Sequence, residues 1–262
     1  MTLDLAQYRQ GLREQERIAD LMRIVPKGRA TVLEIGARDG YISRLLTDSF
    51  EIVTALDLRK PQFDIPRVIT TAGDVTQLDY SEGQFDVVMC TEVLEHIPSP
   101  SLEKACQEIA RVARYEVVVG VPYRQDIRAG RTTCLACGGK NPPWGHVNSF
   151  GQGRLKRLFR GMAPVSTTLV GSSHARTNAV SGFLMDLAGN PWGTYDQEEP
   201  CTHCGQPLQR PPDRSLIQAA CGRIAVTLNR MQDLVSSPRA NWIHIVFQKH
   251  PSQQTAVYHL SR

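Results

Sequence analysis

The 262-residue chain predicts an α/β fold on a mostly parallel sheet, and three observations predict it. Thr31 to Ile35 is an apolar run ending in the turn Gly36-Ala37-Arg38-Asp39-Gly40, after which a helical pattern starts at Tyr41. A second apolar run, Ile52-Val53-Thr54-Ala55-Leu56, ends in Asp57, seventeen residues beyond Gly40. Further strand-like runs at 67–71, 85–90 and 115–121 alternate with helical stretches, as βαβ units do. Strand, glycine turn, helix, strand and acid make half of a nucleotide-binding unit. Its glycines let backbone approach a ligand, and its acid accepts hydrogen bonds from ribose hydroxyls.

The other elements follow in order. Residues 4–24 carry Leu12, Ile18, Leu21 and Met22 at helical spacing among Arg and Glu, and Pro26-Lys27-Gly28 ends that helix. Ser101 to Ala113 reads as a helix with Leu102, Ala105, Ile109 and Val112 on one face and Ser101 as its N-cap. After Pro122 the texture changes: 123–150 and 186–213 are rich in turn residues and cysteine, separated by a basic helix from Gln152 to Arg160 and a strand from Val165 to Val170. A helix over 214–234 leads to the last strand, Trp242 to Phe247. The expected domains are an N-terminal helix (1–28), a core (29–122), a cap containing the sixth strand (123–213), and a helix and seventh strand that complete the core (214–262).

Bulk composition narrows the class. Hydrophobic content of 41% and charged content of 21% are ordinary for a globular chain, and a net charge of +4 is too weak to argue for nucleic acid alone. No run approaches the ~18 apolar residues of a membrane span, and Met1-Thr2-Leu3-Asp4 lacks the charged leader of a signal peptide, so a cytoplasmic location is expected. Seven cysteines then argue against a disulfide framework.

The ligand is read from the turn. A dinucleotide fingerprint, G-x-G-x-x-G, fails here because Arg38 occupies the middle glycine position. The looser Glu34-x-Gly36-x-x-x-Gly40 suits S-adenosylmethionine, which carries no phosphate. Gly73-Asp74-Val75 follows the third strand, and Thr91-Glu92-Val93-Leu94-Glu95-His96-Ile97-Pro98 follows the fourth. With these segments the chain resembles the class I S-adenosylmethionine-dependent methyltransferases over residues 30–122, and within them the ubiquinone-biosynthesis type of O-methyltransferase. The resemblance implies a Rossmann-like seven-stranded methyltransferase fold. It further implies that Glu34 and Gly36 hold the methionine amino group and backbone, that Gly40 lets the helix approach, that Asp57 binds the ribose, and that Asp74 with Val75 seats adenine. Ala37, Leu58, Thr91 and Glu92 complete the implied cofactor set.

Cys134-Leu135-Ala136-Cys137-Gly138 and Cys201-Thr202-His203-Cys204-Gly205 are two C-x-x-C-G knuckles. Each supplies two thiolates from one tight turn, and together they provide the four soft ligands of a structural Zn²⁺. Their positions after the fifth strand and between the sixth and seventh predict a metal that staples two halves of a cap. Glu92, Glu95 and His96, at i, i+3 and i+4, would share one face if the segment were helical and, with His146, could hold a second metal. His96 and His146 are the candidate general bases, and Tyr123 a further catalytic candidate. The expected activity is methyl transfer to a hydroxyl of a small molecule, sugar or lipid-linked glycan. The alternatives are an RNA methyltransferase whose zinc unit grips nucleic acid, and an inactive zinc-bridged interaction module; the sequence leaves the oligomeric state open.

Overall fold

The computed structural model describes residues 5–174, 176–212 and 214–250; Met1-Thr2-Leu3-Asp4, read above for a leader, lies outside them. The chain divides into two compact units. Unit 1 holds the described residues of Met1–Glu14, Arg124–Ser149 and Gly171–Asn241; unit 2 holds Gln15–Tyr123, Phe150–Val170 and those of Trp242–Arg262.

Unit 2 is built on a seven-stranded sheet. Its strands are β1 (Thr31–Ile35), β2 (Ile52–Asp57), β3 (Val68–Ala72), β4 (Phe85–Thr91), β5 (Ala113–Pro122), β8 (Met162–Val170) and β9 (Trp242–Lys249), in the order β3-β2-β1-β4-β5-β9-β8. The first five are parallel; β9 runs antiparallel to both β5 and β8. Central strands read as near-continuous apolar runs because both faces are covered. On one face Leu33, Ile35, Val88, Cys90, Val117 and Val119 pack with Leu102, Ala105 and Ile109 of α4 (Ser99–Val112). On the other, Val32, Val53, Val87, Met89 and Val118 pack with Leu21 of α2 (Leu12–Ile24) and Leu46 of α3 (Tyr41–Leu46). Strand alternation sends successive side chains to the two faces. Short α5 (Gln152–Leu158) adds buried Leu155 to the first cluster.

Unit 1 contains α1 (Leu5–Tyr8), a two-stranded hairpin of β6 (Thr132–Thr133) and β7 (Lys140–Asn141), and helices α6 (Ala179–Leu187) and α7 (Leu216–Val235), which pack on each other. Among the described residues, the apolar cluster around the cysteines consists of Cys134, Tyr195, Cys201 and Leu208.

Several expectations need correction. The helix expected over 4–24 is broken at Arg9–Gly11 into α1 and α2, where the Gly11 N–H bonds back to the Tyr8 carbonyl. α4 starts at Ser99 behind Pro98 rather than at Ser101, because Pro100 suits a first-turn position that requires no N–H donor. α7 belongs with α6 in unit 1, so of the segment 214–262 it is β9 that completes the sheet. Likewise β8 lies in unit 2 and not with the knuckles. α6 went unread because its start is a box of small polar residues: the Asn178 side chain accepts from the Ser181 N–H at 2.8 Å, and the Ser181 hydroxyl accepts from the Asn178 N–H at 3.0 Å.

Candidate functional site

In a parallel sheet the carboxyl ends of the strands share one edge, and ligands collect where the strand order reverses, here between β1 and β4. The turn after β1 is shaped for that place. Gly36 has φ +85°, and a Cβ there would run into the Val93 side chain from the loop after β4. Its N–H and that of Ala37 donate to the Leu56 carbonyl at 2.8 and 3.2 Å, tying the turn to β2. Gly40, at φ +78°, is the N-cap of α3, and a Cβ on it would stand 2.7 Å from the Phe63 ring. Arg38 takes φ +45°, so a non-glycine residue adopts the left-handed backbone that a glycine would take at no steric cost. The turn is therefore made despite the departure from a three-glycine pattern.

Acids surround it. Glu34 is buried and accepts a hydrogen bond from the Ser43 hydroxyl. Burial pushes its pKa up to about 8, against the pull of Ser43 and with help from the charges of Asp39 and Asp57. Asp57 closes β2, accepting the Arg38 N–H at 3.0 Å and the Leu58 N–H at 2.7 Å; the Leu58 side chain itself is exposed. Beyond β3, Asp74 Oδ1 accepts both the N–H and the hydroxyl of Thr76 at 2.8 Å, which holds its carboxyl below the usual range, while Val75 is buried. Thr91 ends β4 and pairs with Gly120 of β5. Glu92 takes φ +56° and accepts from the Trp242 indole N–H at 3.2 Å. Glu34, Gly36, Ala37, Gly40, Asp57, Leu58, Asp74, Val75, Thr91 and Glu92 thus all belong to unit 2 and to the carboxyl edge of its sheet.

The segment after β4 is not a continuous helix. Glu92 lies in left-handed backbone and only Leu94–His96 form a 3₁₀ turn, so Glu92, Glu95 and His96 do not share a helical face. Glu95 is fully buried, and neither carboxylate oxygen finds a hydrogen-bond partner among the described residues. Burial, then the charge of Glu92, pushes its pKa well up. Burial, then the positive charge of Arg38, brings His96 down to about 4. Tyr123, just past β5, packs partly buried against the core and bridges to Phe150. His146 lies in unit 1, where its Nδ1 meets Gln125 Oε1 at 2.6 Å, so that the nitrogen carries the proton.

One polar group of unit 2 went unread. His244 of β9 is wholly buried, its Nδ1 2.7 Å from Asp20 Oδ2 of α2, an oxygen that also accepts from the Thr168 hydroxyl. Burial alone would raise the Asp20 carboxyl; bonds from Thr168, His244 and Arg23 outweigh it and hold the pKa low. Burial lowers His244 in turn, so the imidazole is neutral with Nδ1–H donated to Asp20. A histidine alternating with Trp242, Ile243 and Ile245 was the visible signal; Asp20, on a helix of mixed charge, gave none.

The knuckles of unit 1 are near copies. Gly138 N–H bonds to the Cys134 carbonyl at 2.9 Å and Gly205 N–H to that of Cys201 at 2.8 Å, with both glycines at positive φ (69° and 73°). The N–H groups of Gly139 and His203 point at Cys137 and Cys201 Sγ, each at 3.4 Å. Asn141 Oδ1 binds the N–H and hydroxyl of Thr202, joining the second knuckle to the hairpin that carries the first. Cys134 and Cys204 Sγ are 3.7 Å apart, Cys137 and Cys201 Sγ 3.6 Å, and all four lie within 4.8 Å of one another. A tetrahedron of sulfurs about 2.3 Å from zinc has edges of about 3.8 Å, so the cluster fits that ion and is far too open for disulfides.

Residues 33–119 match the family described as methyltransferase domain. Over those residues the chain is similar to methyltransferase domains. The domain is similar to the ubiquinone biosynthesis O-methyltransferase of Bordetella parapertussis, with 32% identity over 96 residues, 32% of this chain and 39% of that protein. The match therefore spans about two fifths of that relative's length. Two solved structures share the methyltransferase fold. One is the Burkholderia thailandensis 1,6-didemethyltoxoflavin-N1-methyltransferase with its substrate and S-adenosylhomocysteine bound (TM-score 0.53, 14% identity, 93% of this chain and 80% of that one). The other is the Haloferax volcanii putative methyltransferase complexed with the Trm112 activator (0.52, 14%, 93% and 92%). No helix among the described residues is long and apolar enough to cross a membrane.

Proposed function

We propose that the chain transfers a methyl group from S-adenosylmethionine to an acceptor hydroxyl, with unit 2 binding the cofactor and a structural zinc holding unit 1 together. The observation that carries the reading is buried Glu34 beside the glycine turn. A carboxyl kept protonated by burial is costly to ionise, and a ligand ammonium group is the partner that would make its ionisation favourable. The sulfonium of the cofactor supplies an activated methyl. Glu34 and Gly36 orient the methionine end, Asp57 accepts from the ribose hydroxyls, and Asp74 with Val75 seats the adenine. Leu58, Thr91 and Glu92 line the same edge.

Displacement at the methyl carbon requires the acceptor oxygen in line and a group to receive its proton. His96 is neutral at pH 7 and can accept one. Held at about 4, it is a weak base, which favours a phenolic hydroxyl, acidic at about 10, over a sugar alcohol. The O-methyltransferase character of the ubiquinone-biosynthesis relatives agrees with an oxygen acceptor. Tyr123 borders the same unit's edge as an orienting hydroxyl, and His146 is the base candidate of unit 1. Incubation with methyl-labelled S-adenosylmethionine and a panel of catechols, sugars and glycans tests the reading. Label is expected in a catechol product; label in nitrogen- or carbon-methylated products alone would overturn the oxygen assignment.

A further inference from the structure

Unit 1 contains a cavity of about 170 Å³, lined by α6, α7 and the loops at 128–131 and 190–193, and every lining residue belongs to that unit. A cavity of about 150 Å³ holds benzene, so this one has room for a single ring with a small substituent. Gly182 of α6 helps to keep it open. Glycine is a poor helix former, and packing does not ask for one here. A Cβ on Gly182 would meet the Thr177 side chain at 3.8 Å, an ordinary contact. Gly193, which also lines the cavity, is instead fixed by packing: a Cβ there would come within 2.3 Å of the Arg131 carbonyl oxygen.

Two guanidiniums, Arg128 and Arg131, line the cavity, and among the described residues no carboxylate does. Each is fixed by an acid outside the lining. Arg128 gives Nε and Nη2 to Asp126 at 2.9 and 3.0 Å, and Arg131 gives Nη1 to Asp186 at 2.9 Å. Asp186 is shared with Lys140 at 3.6 Å, so it does not balance the charge around it. Arg128 Nη1 and Arg131 Nε and Nη2 donate no hydrogen bond among the described residues. Other polar groups of the lining are satisfied: the Asn190 amide donates to Thr133 and Asp186 at 2.9 and 3.0 Å, and the Thr177 and Ser181 hydroxyls meet at 2.6 Å. Asn229 of α7 is the exception. Its Oδ1 is buried and has no hydrogen-bond partner among the described residues. Buried unpaired acceptors are uncommon, and one that lines a cavity marks the place of a donor. The walls are apolar: Met185, Val226 and the Trp192 ring, which lies 3.1 Å from where a Gly222 Cβ would stand and has the Arg214 guanidinium 4.9 Å from its centre.

The guanidiniums call for a planar anion, the walls for a ring, and Asn229 for a donor. We propose that this cavity binds a monocyclic aromatic carboxylate bearing a ring hydroxyl. The carboxylate lies on Arg128 and Arg131, the ring against Met185, Val226 and Trp192, and the hydroxyl donates to Asn229 Oδ1. A bare phosphate would leave the apolar walls to water, and a hydrocarbon ring would leave the guanidiniums and Asn229 unmet. The site shares no residue with the glycine turn and acids of unit 2, and it does not rest on the methyl-transfer reading.

The test uses the full zinc-loaded chain without S-adenosylmethionine, titrated by calorimetry. The probes are the ortho, meta and para isomers of hydroxybenzoate, with benzoate, benzamide and inorganic phosphate for comparison. One hydroxybenzoate isomer should bind once per chain, about 10-fold or more tightly than benzamide, which lacks the charge, and phosphate, which lacks the ring. Gly182→Leu puts a good helix former into the cavity; it should keep the far-UV circular dichroism and weaken that binding about 100-fold. Asn229→Leu should lower the hydroxybenzoate about 10-fold, to the affinity of benzoate, and leave benzoate unchanged. If Gly182→Leu alters the fold, the Asn229→Leu comparison decides. Absence of binding by all three isomers, binding that survives Gly182→Leu, or benzamide or phosphate bound as tightly would each overturn the proposal. So would a preference for the hydroxyl that persists in Asn229→Leu.

Discussion

The two units reach order by different physics. Unit 2 has two apolar clusters, one on each face of its sheet, and needs nothing beyond its own chain to bury them. Unit 1 has four residues in its cysteine-centred cluster, short strands and many loops, and it leaves the outer face of α7 open. A segment with so little apolar burial relies on hydrogen bonds such as Asn141 to Thr202, and the proposed zinc would hold it further. The lesson is that the region resembling a known family buries its own core, whereas the idiosyncratic part is the one for which the proposed zinc would matter most.

Metal removal should break this contrast open with the largest effect. Cys134→Ser with Cys201→Ser should abolish stoichiometric zinc, measured by elemental analysis, and remove the helical signal of α6 and α7. Structural zinc sites contribute on the order of 10 kcal/mol, so unit 1 should melt while unit 2 keeps its own transition and still binds S-adenosylhomocysteine. A single cooperative loss of both would show that the units are not energetically distinct.

A change in unit 2 should be smaller and confined to the ligand. Asp57→Ala removes an acceptor of charge-assisted bonds, each worth about 1.5–3 kcal/mol, and should weaken S-adenosylhomocysteine binding about 10- to 100-fold by calorimetry. Unchanged affinity would remove Asp57 from the site.

Acid should loosen unit 2 through its histidines. His96 has a folded pKa of about 4, below its ordinary 6.5, so the unfolded chain binds more protons between those values. The stability it contributes is complete above about 6.5 and lost as pH falls toward 4, with a slope of up to about 1.4 kcal/mol per pH unit. His244, lowered by burial against Asp20 and facing Arg17 and Arg23, acts with the same sign. His96→Asn should flatten part of this slope in urea titrations at pH 5 and 7; an unaltered slope would show that His96 is not the titrating group. Smallest is Arg38→Gly. It relieves left-handed backbone at a cost in unfolded-chain entropy, for a net gain below about 1 kcal/mol in thermal melts.

Much of this was written in the sequence. Strand periodicity, the Gly36–Gly40 turn and Asp57 placed the parallel strands and the turn at their carboxyl edge because local chemistry and tertiary position agree there. The doubled C-x-x-C-G spacing found the cysteine cluster across a long gap, since each knuckle is a local turn. What escaped was decided by three-dimensional context. Glu92 departs from helical backbone where the chain must turn past β4, Glu95 is buried with no hydrogen-bond partner for its carboxylate among the described residues, and Asp20 meets His244 across 224 residues. Assigning α7 to unit 1 likewise depends on its packing against α6, which amphipathicity alone does not specify.

The central claim is that Glu34 and the turn above β1 receive the ammonium end of S-adenosylmethionine. Calorimetry of S-adenosylhomocysteine binding at pH 7, run in two buffers of different ionisation enthalpy, tests it directly. Because Glu34 is held near 8 in the free protein, ionising it on binding should release about one proton per site, and Glu34→Gln should abolish that release. Absence of binding, or binding with no proton released by the wild-type chain, would contradict the account.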